Sequence, residues 1–492
     1  MNTSYTDEKS PRSQPEETAP AATAETRSAF ARVRTALVWI VLGWTVALEQ
    51  LDDNSFLTHL RTGRWILEHH GVPHSDIYSY TVPGAPWVAQ SWLAEVLYAG
   101  LYESPVGPNG IRVLGGILGA ACAYLAYRLA DRAAAGRART VVVLLPALFV
   151  SALYWVERPL FIGILAFLAL LWIVEIPDSA AGRRPLIALP LLMWLWANCH
   201  GSFALGFAYL ALHLLGRWAD GHRPWQGRER RLLQATVLAF AACFLNPYGA
   251  GLVLFPVQLL THGEALQYVP EWQSPDLRSL VGAAFAVWIA VFVAVLVLAR
   301  TRPTRRDVLV SLPFLLLGLW ALRNAAVAPL VGLPIAARLL PAAPPPVRRP
   351  RLDVAVVTTA VLIAASLTRS QLAEPPFDLS RYPVAAMRSV EEQGLLGRRL
   401  FTTTGWAGYV IHRYWPRQRV FMDDRYDMYP TDFAVNYQKV RHGDARWRTT
   451  FDRYRVEVVV WETGAPLTEL LTESPSWRTV YRDRLATVLV RR

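Results

Sequence analysis

Two aspartates stand side by side in LEQLDDNSFLTHLRTG, and a histidine follows the second by six residues: Asp52, Asp53 and His59. A carboxylate here could take a proton from an acceptor hydroxyl or bind a divalent cation such as Mg or Mn. It could equally cap a helix, because Asp53 or Asn54 precedes the helical run from Phe56 to His69. His59, on that same helical run, could be catalytic, though a lone histidine at an interface is more often structural. Arg323, in LWALRNAAVAPL, lies between two apolar runs with no acid nearby in sequence. Its planar fork suits a phosphate or diphosphate, and snorkelling to a membrane surface is the plain alternative. Arg158 carries the same fork, though Glu157 beside it could neutralise it. Asp76, Glu95, His200 and Glu271 are further acids and imidazoles near the ends of apolar runs, as are Asn198, Asn246, Trp272 and Asn324.

Two other stretches look chemical and read more plainly. VFMDDRYDMYP offers Asp423, Asp424, Arg425 and Asp427 after a strand-like run, where acids could touch a polar substrate but also form a turn with an internal arginine pair. TTTGWAGY lacks the lysine of a P-loop and the spacing of a dinucleotide fingerprint. Cys122, Cys199 and Cys243 have no CxxC spacing, so neither a disulfide framework nor a zinc site is indicated.

The elements that must position these residues are hydrophobic. Of 492 residues 53 % are apolar, and Ser279–Leu298 carries no charge at all, a run that matches the roughly 20 residues a bilayer crossing needs. A first span near 35–49 is followed by spans near 110–130, 139–156, 159–177, 185–199, 202–218, 232–246, 279–299, 307–322, 324–340 and 353–369. Those at 185–199 and 232–246 are short and flanked by proline, so either could be half-buried. Trp87–Tyr102 and Pro247–Leu260 are apolar but broken by polar residues, which suggests helices at the outer interface or packed in the bundle.

The net charge of +12 is almost all arginine, since lysine occurs only at Lys9 and Lys439. These cations cluster between spans, as at Arg128–Arg139, Arg183/Arg184, Arg217–Arg231, Arg300–Arg306 and Arg348–Arg351, and form no continuous stripe. The pattern is that of cytoplasmic loops and argues against nucleic acid as a partner. It places the N-terminus inside and the chain end outside. Residues 1–32, rich in Pro, Ser, Thr, Glu and Ala, read as a disordered cytoplasmic tail. Residues 33–370 read as a transmembrane domain with a first outer loop at 49–108, and Pro344–Pro346 as a cytoplasmic linker. From 371 to 492 the pattern shifts to strand-like runs, Arg419–Met422, Glu457–Trp461 and Ala486–Val490. Helical stretches near 381–394, 431–441 and 465–472 lie among them, which makes an extracytoplasmic α/β domain. The fold class is therefore a polytopic α-helical membrane protein, about eleven transmembrane helices with a C-terminal soluble α/β domain.

An acidic pair after the first span, a long first outer loop, many further spans and a C-terminal outer domain resemble the GT-C class of membrane glycosyltransferases. Protein O-mannosyltransferases and aminoarabinose lipid A transferases belong to it. More closely, DDNSFLTHLRTGRWILEHHGVPHSDIYSYT, PWVAQSWLAEVLY, WANCHGSF, NPYG, EW and the late RN resemble an uncharacterised group of bacterial membrane proteins described as GT-C-like, over most of residues 35–492. The resemblance implies a polyprenyl-phosphate sugar as donor, a glycan, lipid or protein acceptor outside the bacterial cytoplasmic membrane, and an inverting transfer. Asp53 matches the first acid of that group's D-x-D-x-x-x-H pattern, while Ser55 stands where the second acid is expected, which puts a paired metal motif in doubt. The resemblance makes Asp53 the base with Asp52 in support, and Arg323 and Arg158 the lipid-phosphate ligands. His59, Asp76, Glu95, His200 and Glu271 become candidate ligands for sugar or acceptor. Two other classes compete: a flippase of lipid-linked sugars, which would favour mid-membrane charges and repeated halves that this chain does not display clearly, and a non-catalytic scaffold.

Overall fold

Long runs of Leu, Val, Ala and Ile satisfy their backbone in an apolar medium by becoming helices. The computed structural model describes residues 21–134, 137–175, 185–261, 263–341 and 350–492. Helices α1 (Ala21–Ala47), α2 (Asn54–His69), α3 (Trp92–Glu103), α4 (Pro108–Ala133), α5 (Arg137–Ala152), α6 (Pro159–Glu175) and α7 (Pro185–Cys199) come first. Then follow α8 (Phe203–Ala219), α9 (Gly227–Ala242), α10 (Ala250–Leu260), α11 (Leu280–Leu298), α12 (Arg305–Trp320), α13 (Ala328–Leu339) and α14 (Pro350–Ala373). The expected spans fall on α1, α4 to α9 and α11 to α14, and the two interrupted segments fall on α3 and α10. The expected tail lies outside the described residues up to residue 20, and α1 begins within it at Ala21. Pro344–Pro346, Arg183, Arg184, Arg348 and Arg349 also lie outside them.

Among the described residues three helices are long and apolar enough to cross a bilayer unaided: α4, α11 and the Val354–Ala373 part of α14. Val33–Ala47, Thr140–Ala152, α6, α7, α8 and α10 are apolar but shorter. The flanks are bare hydrocarbon, with Ile187 72 %, Val297 76 % and Leu298 78 % exposed, surface that lipid solvates and water would not. This is a polytopic α-helical membrane protein. Small residues allow a close crossing in it: a Cβ added at Gly43 would lie 2.2 Å from the Gly119 carbonyl oxygen, so α1 and α4 touch backbone to backbone.

After α14 come α15 (Val384–Glu392), β1 (Leu400–Thr402), α16 (Thr404–Tyr414), α17 (Thr431–Arg441), α18 (Trp447–Tyr454), β2 (Val458–Glu462), α19 (Pro466–Glu473), β3 (Trp477–Arg482) and β4 (Ala486–Arg491). The sheet order is β1-β2-β4-β3, with β1 parallel to β2 and the other pairs antiparallel. Two of the three expected strands appear as β2 and β4. The third, Arg419–Met422, is reduced to Val420, which bridges Leu400 on one side and Ser79 of the first loop on the other. That bridge carries the sheet into the loop. Phe56, Tyr78, Trp87 and Tyr98 of the loop share one hydrophobic core with Phe401, Phe421 and Trp461 of the domain, so loop and domain fold as one body at one end of the bundle.

Candidate functional site

Asp53 ends the extended segment that leaves α1. Its Oδ1 accepts the Phe56 amide at 3.0 Å and so caps α2, as its position before Asn54 predicts. Its Oδ2 accepts from Arg158 Nε at 2.8 Å and Nη2 at 2.6 Å. The other arm of Arg158 donates to Glu271. Burial works against the guanidinium's charge, but Asp53 and Glu271 outweigh it and hold Arg158 firmly protonated. Glu157, in the same turn between α5 and α6, faces the other way. Its Oε1 accepts the Asp52 amide at 2.7 Å and the Asp53 amide at 2.9 Å, while burial, against those two bonds, pushes its carboxyl up to about 7.

Arg323 lies in the 3-10 turn Leu322–Ala326 between α12 and α13. Its guanidinium stacks over Trp272 at 4.4 Å, and it makes no hydrogen bond or ion pair among the described residues. Burial draws its pKa down, Glu271 opposes this, and Arg158 is close enough to add to it. His200, just past α7, is buried and kept neutral by that burial, with Arg323, His59 and Arg158 reinforcing it. Trp196 donates to Ser202 Oγ at 3.0 Å, and the same Oγ and the Ser202 amide both face His200 Nδ1, at 2.8 and 3.1 Å. Nδ1 is thus the acceptor and Nε2 carries the proton. His200 is a fixed neutral donor beside two arginines.

On α2, His59 Nδ1 meets Glu95 Oε1 of α3 at 2.7 Å, with the Glu95 side chain only 2 % exposed. A Cβ at Gly63 would stand 1.9 Å from the Glu95 carbonyl oxygen, and only glycine allows α2 and α3 this approach. Asn54 faces the C-terminal domain, donating to Thr404 O at 2.9 Å and Asp424 Oδ2 at 3.2 Å and accepting from the Gly408 amide at 2.9 Å.

Topology therefore gathers Asp53, Arg158, Glu271, Arg323, His200, His59 and Glu95. Two expected members stand apart. Asp52 turns outward to Arg381 and does not support Asp53, because neighbouring residues on an extended segment point to opposite faces. Asp76 is buried at the seam of loop and domain, where it accepts from the Tyr78 and Ser79 amides, the Ser79 hydroxyl and Arg425, leaving it no lone pair for a substrate. Asn198 accepts from Trp92, Asn246 closes its own turn and Asn324 caps α12. Asp424, read from sequence as part of a turn, belongs to the gathered group, because Asp53, His59 and Arg158 all act on its charge.

A divalent metal would need acids that converge. Among the described residues no group of three His, Cys, Asp or Glu could hold one: Asp53 is given to Arg158 and Asp52 to Arg381. The residues present do not fit bound Mg or Mn.

No protein-family model matches the chain, and no curated protein matches it in sequence. Among solved structures, the crystal structure of ArnT from Cupriavidus metallidurans in the apo state aligns over 95 % of this chain and 98 % of that one, with 14 % identity and a TM-score of 0.44.

Proposed function

We propose that the protein is a membrane glycosyltransferase that moves a sugar from a polyprenyl-phosphate donor to a hydroxyl or amine acceptor at the extracytoplasmic face, with inversion. One observation carries this reading. Arg323 is an unpaired, stacked guanidinium within electrostatic reach of Arg158, at the end of a helical bundle whose flanks are lipid-facing. Two forks side by side suit a phosphate better than any neutral ligand. A lipid-linked donor brings that phosphate to the interface through its own chain, so no nucleotide-binding loop is required.

Each neighbour has a part in the reaction. Phosphate replaces Glu271 on Arg158, one anion for another, while Asp53 keeps the guanidinium in place. Charge that develops on the leaving phosphate then meets fixed cations in a half-dry site, where they act most strongly. His200 Nε2–H, and His59 held by Glu95, supply the groups that meet the sugar and acceptor hydroxyls. Asp53, expected as the base, has both oxygens engaged and lies against a phosphate-binding arginine, so its work is to position Arg158.

Binding of polyprenyl monophosphate to the purified full chain, read by tryptophan quenching, tests the reading directly. Replacing Arg323→Ala or Arg158→Ala should weaken binding about 10- to 100-fold, the worth of a charged hydrogen bond. Lysine at Arg323 should restore little of it. Affinity unchanged in both alanine variants would remove the phosphate site, and the transferase reading with it.

A further inference from the structure

The adjacent acids of VFMDDRYDMYP face opposite ways. Asp423 is fully buried, its Oδ1 accepting from Arg425 Nε at 2.8 Å and its Oδ2 from Arg425 Nη2 at 2.6 Å. That same Nη2 reaches Asp76 at 2.6 Å and ties the domain to the first loop. Asp424 takes no part in this triad. Its Oδ2 accepts from Asn54 at 3.2 Å, and its Oδ1 has no hydrogen-bond partner among the described residues. The charged groups that face it are Asp423 on its own segment, His59 on α2, Asp53 at the start of α2 and Arg158 from the turn before α6.

This placement is built in. Asn54 is held by Thr404 and Gly408 of α16, and a Cβ at Gly408 would lie 2.2 Å from the Asn54 carbonyl oxygen. The domain therefore sits on the N-terminus of α2 backbone to backbone, with Asp424 beside it.

Displacement with inversion needs the acceptor and its base on the face of the sugar opposite the leaving phosphate. Asp53 stands 2.6 Å from Arg158 and so lies on the leaving side. Asp424 bonds to neither Arg158 nor Arg323 and keeps an oxygen free. We propose that Asp424, contributed by the C-terminal domain, is the base that takes the acceptor's proton, an inference that rests on the glycosyl-transfer reading. The acceptor's O–H or N–H proton passes to Asp424 Oδ1 as the acceptor atom bonds to the anomeric carbon. The bond from that carbon to the phosphate oxygen breaks, its electron pair stays on the polyprenyl phosphate between the two arginines, and Asp424 returns the proton to water. Burial, with Asp423 and Asp53 adding and His59 and Arg158 opposing, pushes the carboxyl up to about 6. Such a base is ionised at neutral pH yet stronger than an exposed aspartate.

The test uses the purified full chain, a panel of radiolabelled polyprenyl-phosphate hexoses and the polyprenyl monophosphate binding assay. Asp424→Asn, which keeps an acceptor for Asn54, should lower kcat at least about 100-fold, within the usual range for a lost general base. It should also abolish the acid limb of kcat near pH 6, with polyprenyl monophosphate affinity and melting temperature unchanged. Asp424→Glu should retain part of the rate and the limb. An Asp424→Asn enzyme with wild-type kcat and pH profile overturns this assignment alone. A wild type that binds the phosphate and turns over no donor of the panel overturns the transferase reading and this proposal together.

Discussion

Neighbouring residues do different work here because the backbone turns each one toward a different partner. Glu157 and Arg158 are adjacent, yet Glu157 faces the amides of Asp52 and Asp53 while Arg158 faces their side of the site. The self-neutralised pair that sequence allowed is not formed. Glu157 also makes a measurable claim. A glutamate in the unfolded chain loses its proton near 4.5, and in the fold burial holds it to about 7. Between those values the folded chain binds more protons than the unfolded one, so this residue's contribution to stability falls as pH rises. Glu157→Gln removes the cost: the variant should melt above wild type at pH 8 and level with it at about pH 4, below the unfolded pKa. The gap is on the order of 1–2 kcal/mol once partial exposure is allowed for. Equal melting temperatures at pH 8 would refute it. At this scale, sequence identified Asp53 and Arg158 as notable but not that they pair, because the pairing crosses two spans. It undervalued Asp424, although two consecutive acids after a buried run must point to opposite faces, and only one can serve a turn.

Helices were the most legible elements, because a bilayer imposes their length and apolarity directly. The short spans at α7 and α9 were marked by their flanking prolines. Arg419–Met422 was read as a full strand because its apolar run includes the β-branched Val420 and is bounded by polar residues, but the loop at Ser79 supplies only one bridge to pair with it. What hydropathy could not reveal is which helices touch. The α1/α4 crossing depends on Gly43 and Gly119, whose added Cβ atoms would meet the opposite carbonyl oxygens at 2.2 and 2.3 Å. Gly119→Leu should force these helices apart by about the width of a side chain and lower the melting temperature by several degrees, an effect of roughly 1–3 kcal/mol for overpacking. Because α1 leads straight to Asp53, polyprenyl phosphate affinity should fall as well. A Gly119→Leu protein with wild-type melting and affinity would show that the crossing is looser than its geometry implies.

For the molecule as a whole, the two ends of the bundle differ in kind. One end carries the first loop, the gathered polar residues and the α/β domain in a single core. The other carries the cations: Arg306 is buried against Glu175, His213, Tyr209 and Asp307, Arg338 reaches the same aspartate, and Arg217 pairs with Glu229. These links join α6, α8, α9, α12 and α13, so this end is laced by ion pairs in which each acid already has its arginine. Positive charge at one side of a membrane protein is expected to face the cytoplasm, and the proposed reaction accordingly needs the loop and the α/β domain outside. A cysteine-reactive, membrane-impermeant label at an engineered Arg492→Cys should then react in intact spheroplasts. One placed at Arg223→Cys, in the turn between α8 and α9, should react only after permeabilisation. The native Cys122, Cys199 and Cys243 are buried and should give little background. The reverse pattern would leave the arginines facing the cytoplasm, where an acceptor outside the cell could not meet them, and the proposed reaction would have to be abandoned.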